Sequence, residues 1–110
     1  NAMERLGLAY FRQKRWNDAY TAFEGLKIYK PEAKTYNYIG ESLFELGKYD
    51  EASEAFTTAV NYNPDLEKAR YNLGRSYVKL NNPAMAQVQY EILKNARSDY
   101  ADRLLVLINP

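Results

Sequence analysis

The side chains of this chain that could do chemistry are carboxylates, hydroxyls, amides and cations, and their spacing decides between catalysis and contact. Asp50, Glu51 and Glu54 form the densest acidic group. At a helix start such carboxylates act chiefly as dipole partners and solvated surface rather than as a divalent-ion site. Glu41 and Glu45 stand four apart on one helix face, but the flanking cations make an ion-pair reading simpler than acid–base work. Ser42, Ser53, Ser76 and Ser98 have no imidazole to activate them, because the chain contains no histidine. It also contains no cysteine, which removes thiol catalysis and thiolate metal sites. Its glycines, Gly7, Gly25, Gly40, Gly47 and Gly74, are too scattered to form a phosphate-cradling loop. Neither an enzyme nor a metal or cofactor site is therefore expected.

Two further partner classes are disfavoured. Arg12, Lys14 and Arg15 with Phe11 and Trp16 have the cationic–aromatic mixture of a nucleic-acid surface. However, 15 Lys and Arg against 14 Asp and Glu leave a net charge of +1, which is not the footprint of a nucleic-acid binder. A membrane span needs roughly 20 apolar residues, whereas the longest apolar run is Leu104 to Ile108. No basic segment precedes an apolar stretch in the manner of a signal peptide. Asn1 and Ala2 before Met3 read as an expression-tag remnant, and if Met3 came with that tag the chain is an internal fragment. The default compartment is then cytoplasmic, with the periplasm open for a fragment.

The elements that must position these side chains follow from an internal repeat. Gly7, Gly40 and Gly74 recur at one interval that is a single position longer the second time, and so do Ala19, Ala52 and Ala86, and Phe23, Phe56 and Tyr90. Pro31 and Pro64 share the period, with Ser98 in the third place. Each repeat reads as two amphipathic helices. Tyr36, Ile39, Gly40, Leu43, Phe44 and Leu46 keep the three-and-four spacing of one apolar face, and Ala52, Ala55, Phe56, Ala59 and Val60 supply a second. Gly47 stops the first helix of the second repeat, and Asn81-Asn82-Pro83 makes the same turn in the third. The first repeat has neither Gly nor Asn at that stop, so its turn should be the least well terminated. Trp16 and its mate Tyr49 read as turn residues packing at the base of each pair. The paired Gly and Ala positions predict closely approaching helices.

These residues resemble the tetratricopeptide repeat family, whose unit runs W-x2-L-G-x2-Y, then A-x3-F, then P. The copies here are Met3-x2-Leu6-Gly7-x2-Tyr10 with Ala19-x3-Phe23, Tyr36-x2-Ile39-Gly40-x2-Leu43 with Ala52-x3-Phe56, and Arg70-x2-Leu73-Gly74-x2-Tyr77 with Ala86-x3-Tyr90. The departures are Met3, Arg70, Leu43 and Ser98. The resemblance implies an all-α, right-handed superhelix of three helix-turn-helix units, at about residues 3–31, 32–64 and 65–98. Ser98-Asp99 starts a last helix over 99–110, in which Tyr100, Leu104, Leu107 and Ile108 are expected to face one way and close the third unit. A truncated fourth repeat is the competing reading of that helix.

The resemblance also implies a concave face lined by the first helix of each unit. Stepping by the repeat gives four columns along it: Glu4, Asn37, Tyr71; Arg5, Tyr38, Asn72; Leu8, Glu41, Arg75; and Arg12, Glu45, Lys79. Lys34 and Lys68 stand at the starts of the second and third units. Asn37, Tyr38, Glu41, Lys68, Tyr71, Asn72, Arg75 and Lys79 are the expected contacts to a peptide or helix of a partner protein. Alternatively, Glu41 with Arg75 and Glu45 with Lys79 neutralise one another. A family clamp for an acidic chaperone tail is a poor match, with Glu4, Leu8, Tyr38 and Asn72 where it wants other residues and only Lys68 agreeing. The net charge divides into +3 over 1–30, −4 over 31–63, +3 over 64–98 and −1 over 99–110, which disfavours one long anionic ligand. The second expectation is a self-associating module, a homo-oligomer held by the apolar C-terminal helix.

Overall fold

The computed structural model describes residues 1–110 as seven helices: α1 Ala2–Arg12, α2 Trp16–Tyr29, α3 Ala33–Glu45, α4 Tyr49–Tyr62, α5 Glu67–Lys79, α6 Pro83–Asn95 and α7 Asp99–Ile108. Helices α1 with α2, α3 with α4 and α5 with α6 pack as pairs, and each following first helix docks on the preceding second one. The stack measures 38 × 25 × 20 Å. Asn1 and Ala2, set apart in the sequence as tag-like, belong structurally to α1. The Asn1 side chain accepts hydrogen bonds from the backbone N–H groups of Met3 and Glu4 at 2.8 and 3.3 Å, capping the helix.

The turn within each pair puts one residue in the left-handed region, and the residue types differ in how well they suit it. Gly47 takes φ 78° and Asn81 φ 57°. In the first pair that position is Lys14, at φ 60°. A residue with a Cβ carries a steric cost there, which is the physical content of a poorly terminated first turn. Asn82 then caps α6, accepting from the Met85 N–H at 3.3 Å, with Pro83 as the first helical residue.

The glycines of the first helices each face one large side chain. A Cβ on Gly7 would lie 2.9 Å from the Phe23 ring, and one on Gly40 would lie 2.5 Å from Phe56. Phe23 and Phe56 are wholly buried, as are Ala19, Ala52 and Ala86. The rule breaks in the third pair: Gly74 faces Leu104 of α7 at 2.5 Å, not Tyr90, which is only half-buried. At the base of the pairs, Phe11 meets Trp16 edge-on at 5.0 Å and Phe44 meets Tyr49 in the same way at 5.0 Å.

Helix α7 packs against α5 and α6, but the four side chains expected on one face are not equally covered. Ala101 and Leu104 are buried and Ile108 is half-buried, whereas Leu107 is 38% exposed and lines a surface cleft, and Val106 is 65% exposed. The difference has a geometric cause. The α6–α7 link is a tight turn with Arg97 at φ 58° and Ser98 capping the Tyr100 N–H at 3.2 Å. The Pro-containing links before α3 and α5 have no counterpart there. Helix α7 consequently begins two positions sooner after α5 than α5 does after α3, and its side chains are rotated accordingly.

Candidate peptide-binding groove

The first helices α3 and α5, together with α7, line a cleft of about 310 Å³ formed by Phe11, Glu41, Glu45, Lys68, Tyr71, Asn72, Arg75, Tyr100 and Arg103. Five of the eight expected contact residues meet there: Glu41, Lys68, Tyr71, Asn72 and Arg75. A second cleft of about 320 Å³ adjoins it across Arg75 and is lined by Phe44, Arg75, Val78, Lys79 and Leu107. This brings in a sixth, Lys79.

The polar floor of the groove is a hydrogen-bonded seam between α3 and α5. The Asn72 side-chain amide donates to Asn37 Oδ1 at 3.0 Å and to Glu41 Oε1 at 2.9 Å, and Asn37 Nδ2 donates to the same Glu41 oxygen at 3.3 Å. All three side chains are buried, at 6, 2 and 7% exposure for Asn37, Asn72 and Glu41. Lys68 adds an ion pair to Glu41 at 3.5 Å. The amides and the carboxylate therefore hold two units together before they meet any ligand, since buried polar groups are stable only when they are mutually satisfied. Tyr38 is likewise engaged inside, stacked on Phe23 with centroids 4.9 Å apart and planes 6° apart, with Phe11 edge-on at 5.6 Å.

The expected neutralising pairs do not form. Glu41 pairs with Lys68, and neither Arg75 nor Lys79 is in any ion pair of the structure. The Arg75 guanidinium instead lies 4.2 Å from the Phe44 ring centroid and 5.4 Å from that of Tyr71, with its shielded Nε donor unpartnered. Lys79 approaches Tyr49 at 5.9 Å. Aromatic rings on the same and neighbouring helices won these cations over the carboxylates, of which the seam had already engaged Glu41.

A lysine at the start of each following unit ties back to a glutamate of the preceding one. Lys34 pairs with Glu4 at 3.1 Å just as Lys68 pairs with Glu41. The Lys34 ammonium holds the Glu4 carboxyl below its ordinary value, and Glu4 raises Lys34 in turn. On the opposite face, burial and then the neighbouring Tyr62 raise Tyr36, whose ring stacks on Tyr62 at 5.3 Å.

Phe11, Tyr100 and Arg103 line the groove without having been singled out as contacts. Arg103 lies 5.0 Å from the Tyr71 ring centroid and 4.9 Å from that of Tyr100, and these two rings tilt against each other at 5.1 Å. The signal that could have found Tyr100 and Arg103 is the helix start at Ser98-Asp99. Continuing the columns by this shortened step carries Lys68 to Tyr100, Tyr71 to Arg103 and Arg75 to Leu107. Ser76 and Lys79 do have the Ser-x-x-Lys spacing, in which a lysine could replace the missing imidazole. The Ser76 hydroxyl is fully buried and donates to the Asn72 carbonyl at 3.0 Å, so it is committed to the helix and offers no exposed nucleophile.

Comparison with known proteins agrees with this architecture. A TPR repeat profile matches residues 40–81, and a profile described as anaphase-promoting complex, cyclosome, subunit 3 matches residues 1–59. The chain is 33% identical over 81 residues to the protein O-mannosyl-transferase TMTC3 of Mus musculus, covering 73% of this chain and 9% of that protein. It is 32% identical over 87 residues to the Homo sapiens protein of that name, covering 78% and 10%. The chain thus spans about a tenth of the length of the curated relatives it matches. Among solved structures, PcrH in complex with the chaperone binding region of PopD superposes with a TM-score of 0.88 at 16% identity, over 97% of this chain and 86% of that one. That likeness is one of fold: an all-helical superhelix of repeat units.

Proposed function

The chain belongs to the tetratricopeptide repeat family, and from that premise we propose that it is a non-catalytic protein-interaction module whose concave face takes a peptide or helix of a partner protein. The observation that carries this reading is the groove between α3, α5 and α7. It offers ring area from Tyr71 and Tyr100 and two guanidinium groups held in place by those rings, outside any ion pair. A seam of buried amides fixes the floor, so little side-chain order has to be gained on binding. The neighbouring solved structure, PcrH, holds a segment of another protein, which is the kind of ligand proposed here. The transferase named among the relatives is matched over a tenth of its length, and the matched stretch is repeat.

Site-directed photocrosslinking tests the face. A benzoylphenylalanine replacing Glu45, an exposed groove residue, is expected to give partner adducts in extracts of the source organism, and the same group replacing Val88 on the outer side of α6 is not. Adducts at Val88 alone would move the working surface to the convex side.

A further inference from the structure

We propose that the end of the groove between α5 and α7 is a receptor for a single carboxylate side chain of the partner, with an apolar side chain two residues away seated beyond Arg75. This rests on the groove reading above and adds the chemistry of what enters it. Arg75 and Arg103 both lie against the Tyr71 ring, at 5.4 and 5.0 Å from its centroid, and neither has a carboxylate partner. Cations laid on aromatic faces leave in-plane N–H groups for a planar acceptor, and a carboxylate matches the guanidinium fork, although the Nε of Arg75 is itself shielded from solvent.

The charge balance of the first cleft matches one negative charge on the side chain that enters it. The cleft is lined by three cations, Lys68, Arg75 and Arg103, and two carboxylates, Glu41 and Glu45, which leaves one positive charge unmatched. Glu41 is already occupied by both asparagines and Lys68. A dianionic phosphate or a run of acidic residues would meet Glu45 and overshoot that balance; one Asp or Glu side chain meets it. On the other side of the Arg75 guanidinium, Phe44, Val78 and Leu107 line the second cleft together with Lys79. An extended peptide presents residues i and i+2 to the same face, about 6.5 Å apart. That distance spans the one stacked guanidinium that separates the two clefts.

The test uses the whole chain against arrayed peptides that carry Glu two residues from Leu, with neutral residues varied elsewhere. The same peptides with Gln or phosphoserine at the Glu position stand beside them. Among binders, Glu is expected to exceed Gln by about tenfold, the ordinary worth of a charge-assisted pair. The exposed substitution Arg103→Gln should abolish the preference for Glu over Gln peptides, and a preference that survives it overturns the carboxylate receptor. Equal binding of Glu and Gln peptides, lost together in a folded Tyr71→Ala variant, overturns the carboxylate receptor and leaves the groove standing. Stronger binding of phosphoserine overturns the single-charge argument. No binding above background, or binding that Tyr71→Ala does not touch, overturns the groove itself.

Discussion

The Asn72 side-chain amide in α5 donates to the Asn37 side-chain oxygen in α3 at 3.0 Å, across the seam between the second and third units. With Glu41 the two form a buried polar lock, and its loss should register as stability. Asn72→Ala removes both donors and leaves an oxygen of Asn37 and one of Glu41 short of partners, at a cost of about 1–3 kcal/mol. Asn72→Asp should cost more, because it sets a second carboxylate against Glu41 in a site with little water. Urea midpoints measure both, and an unchanged midpoint for Asn72→Ala would remove the lock from the account.

The glycines separate into those that cannot and those that can accept a methyl group. At Gly40 a Cβ would press on the Phe56 ring at 2.5 Å, and that ring is fully buried. Gly40→Ala gains about 1 kcal/mol of helix propensity and is expected to lose more to overpacking, for a net loss of about 1–2 kcal/mol. At Gly25 the opposing atom is the terminal methyl of Met3, which can swing away. Gly25→Ala should therefore raise the midpoint, by about 0.5–1 kcal/mol. Opposite signs for the two variants are the measurement that matters.

Lys14 holds the left-handed position that Gly47 and Asn81 occupy in the other pairs. Lys14→Gly removes the Cβ clash and is expected to stabilise the chain by about 0.5–1 kcal/mol after the entropy lost by glycine is counted. Thermal unfolding would show it, and a fall in midpoint would mean that the turn has no strain to release.

The Glu4–Lys34 pair gives stability a pH signature. The folded carboxyl of Glu4 lies below its ordinary value, so its contribution is complete above that value and is lost as pH falls through the depressed one. Lys34 lies above its ordinary value, so its contribution is complete below that value and is lost as pH rises through the raised one. With both side chains partly in water the effect is small, about 0–1 kcal/mol. Glu4→Gln should match the wild type in strong acid and be slightly less stable near neutrality. A constant difference at every pH would contradict the assignment.

The repeat made most of the architecture readable in the residues. Glycine, alanine and phenylalanine at one period specify which helix meets which, and Gly47 and Asn82-Pro83 mark the turns by their backbone preferences. The groove was harder to read, because a column position says which face a residue is on and not what has already bonded to it. Asn37 and Asn72 look like ligand amides until their mutual distance is known. Arg75 looks like a partner for Glu41 until Lys68 and the Phe44 ring are in place. Tyr100 and Arg103 were obscured by the shortened step into α7, produced by one tight turn at Arg97.

Leu6 stands where Ile39 and Leu73 stand in the next two units, yet it is 49% exposed and they are each 4% exposed. Of the residues of α1 only Gly7 is buried, and the turn that follows carries Lys14. In a linear array each unit is stabilised only by its own pairing and by its neighbours. Within this stack α1 is therefore the first helix to fray and the locked α3–α5 segment the last. Amide protons of α1 should exchange through partial openings well below the free energy of global unfolding, while those of α3 and α5 report the whole molecule. A chain built this way can loosen one end without releasing whatever is held at the other.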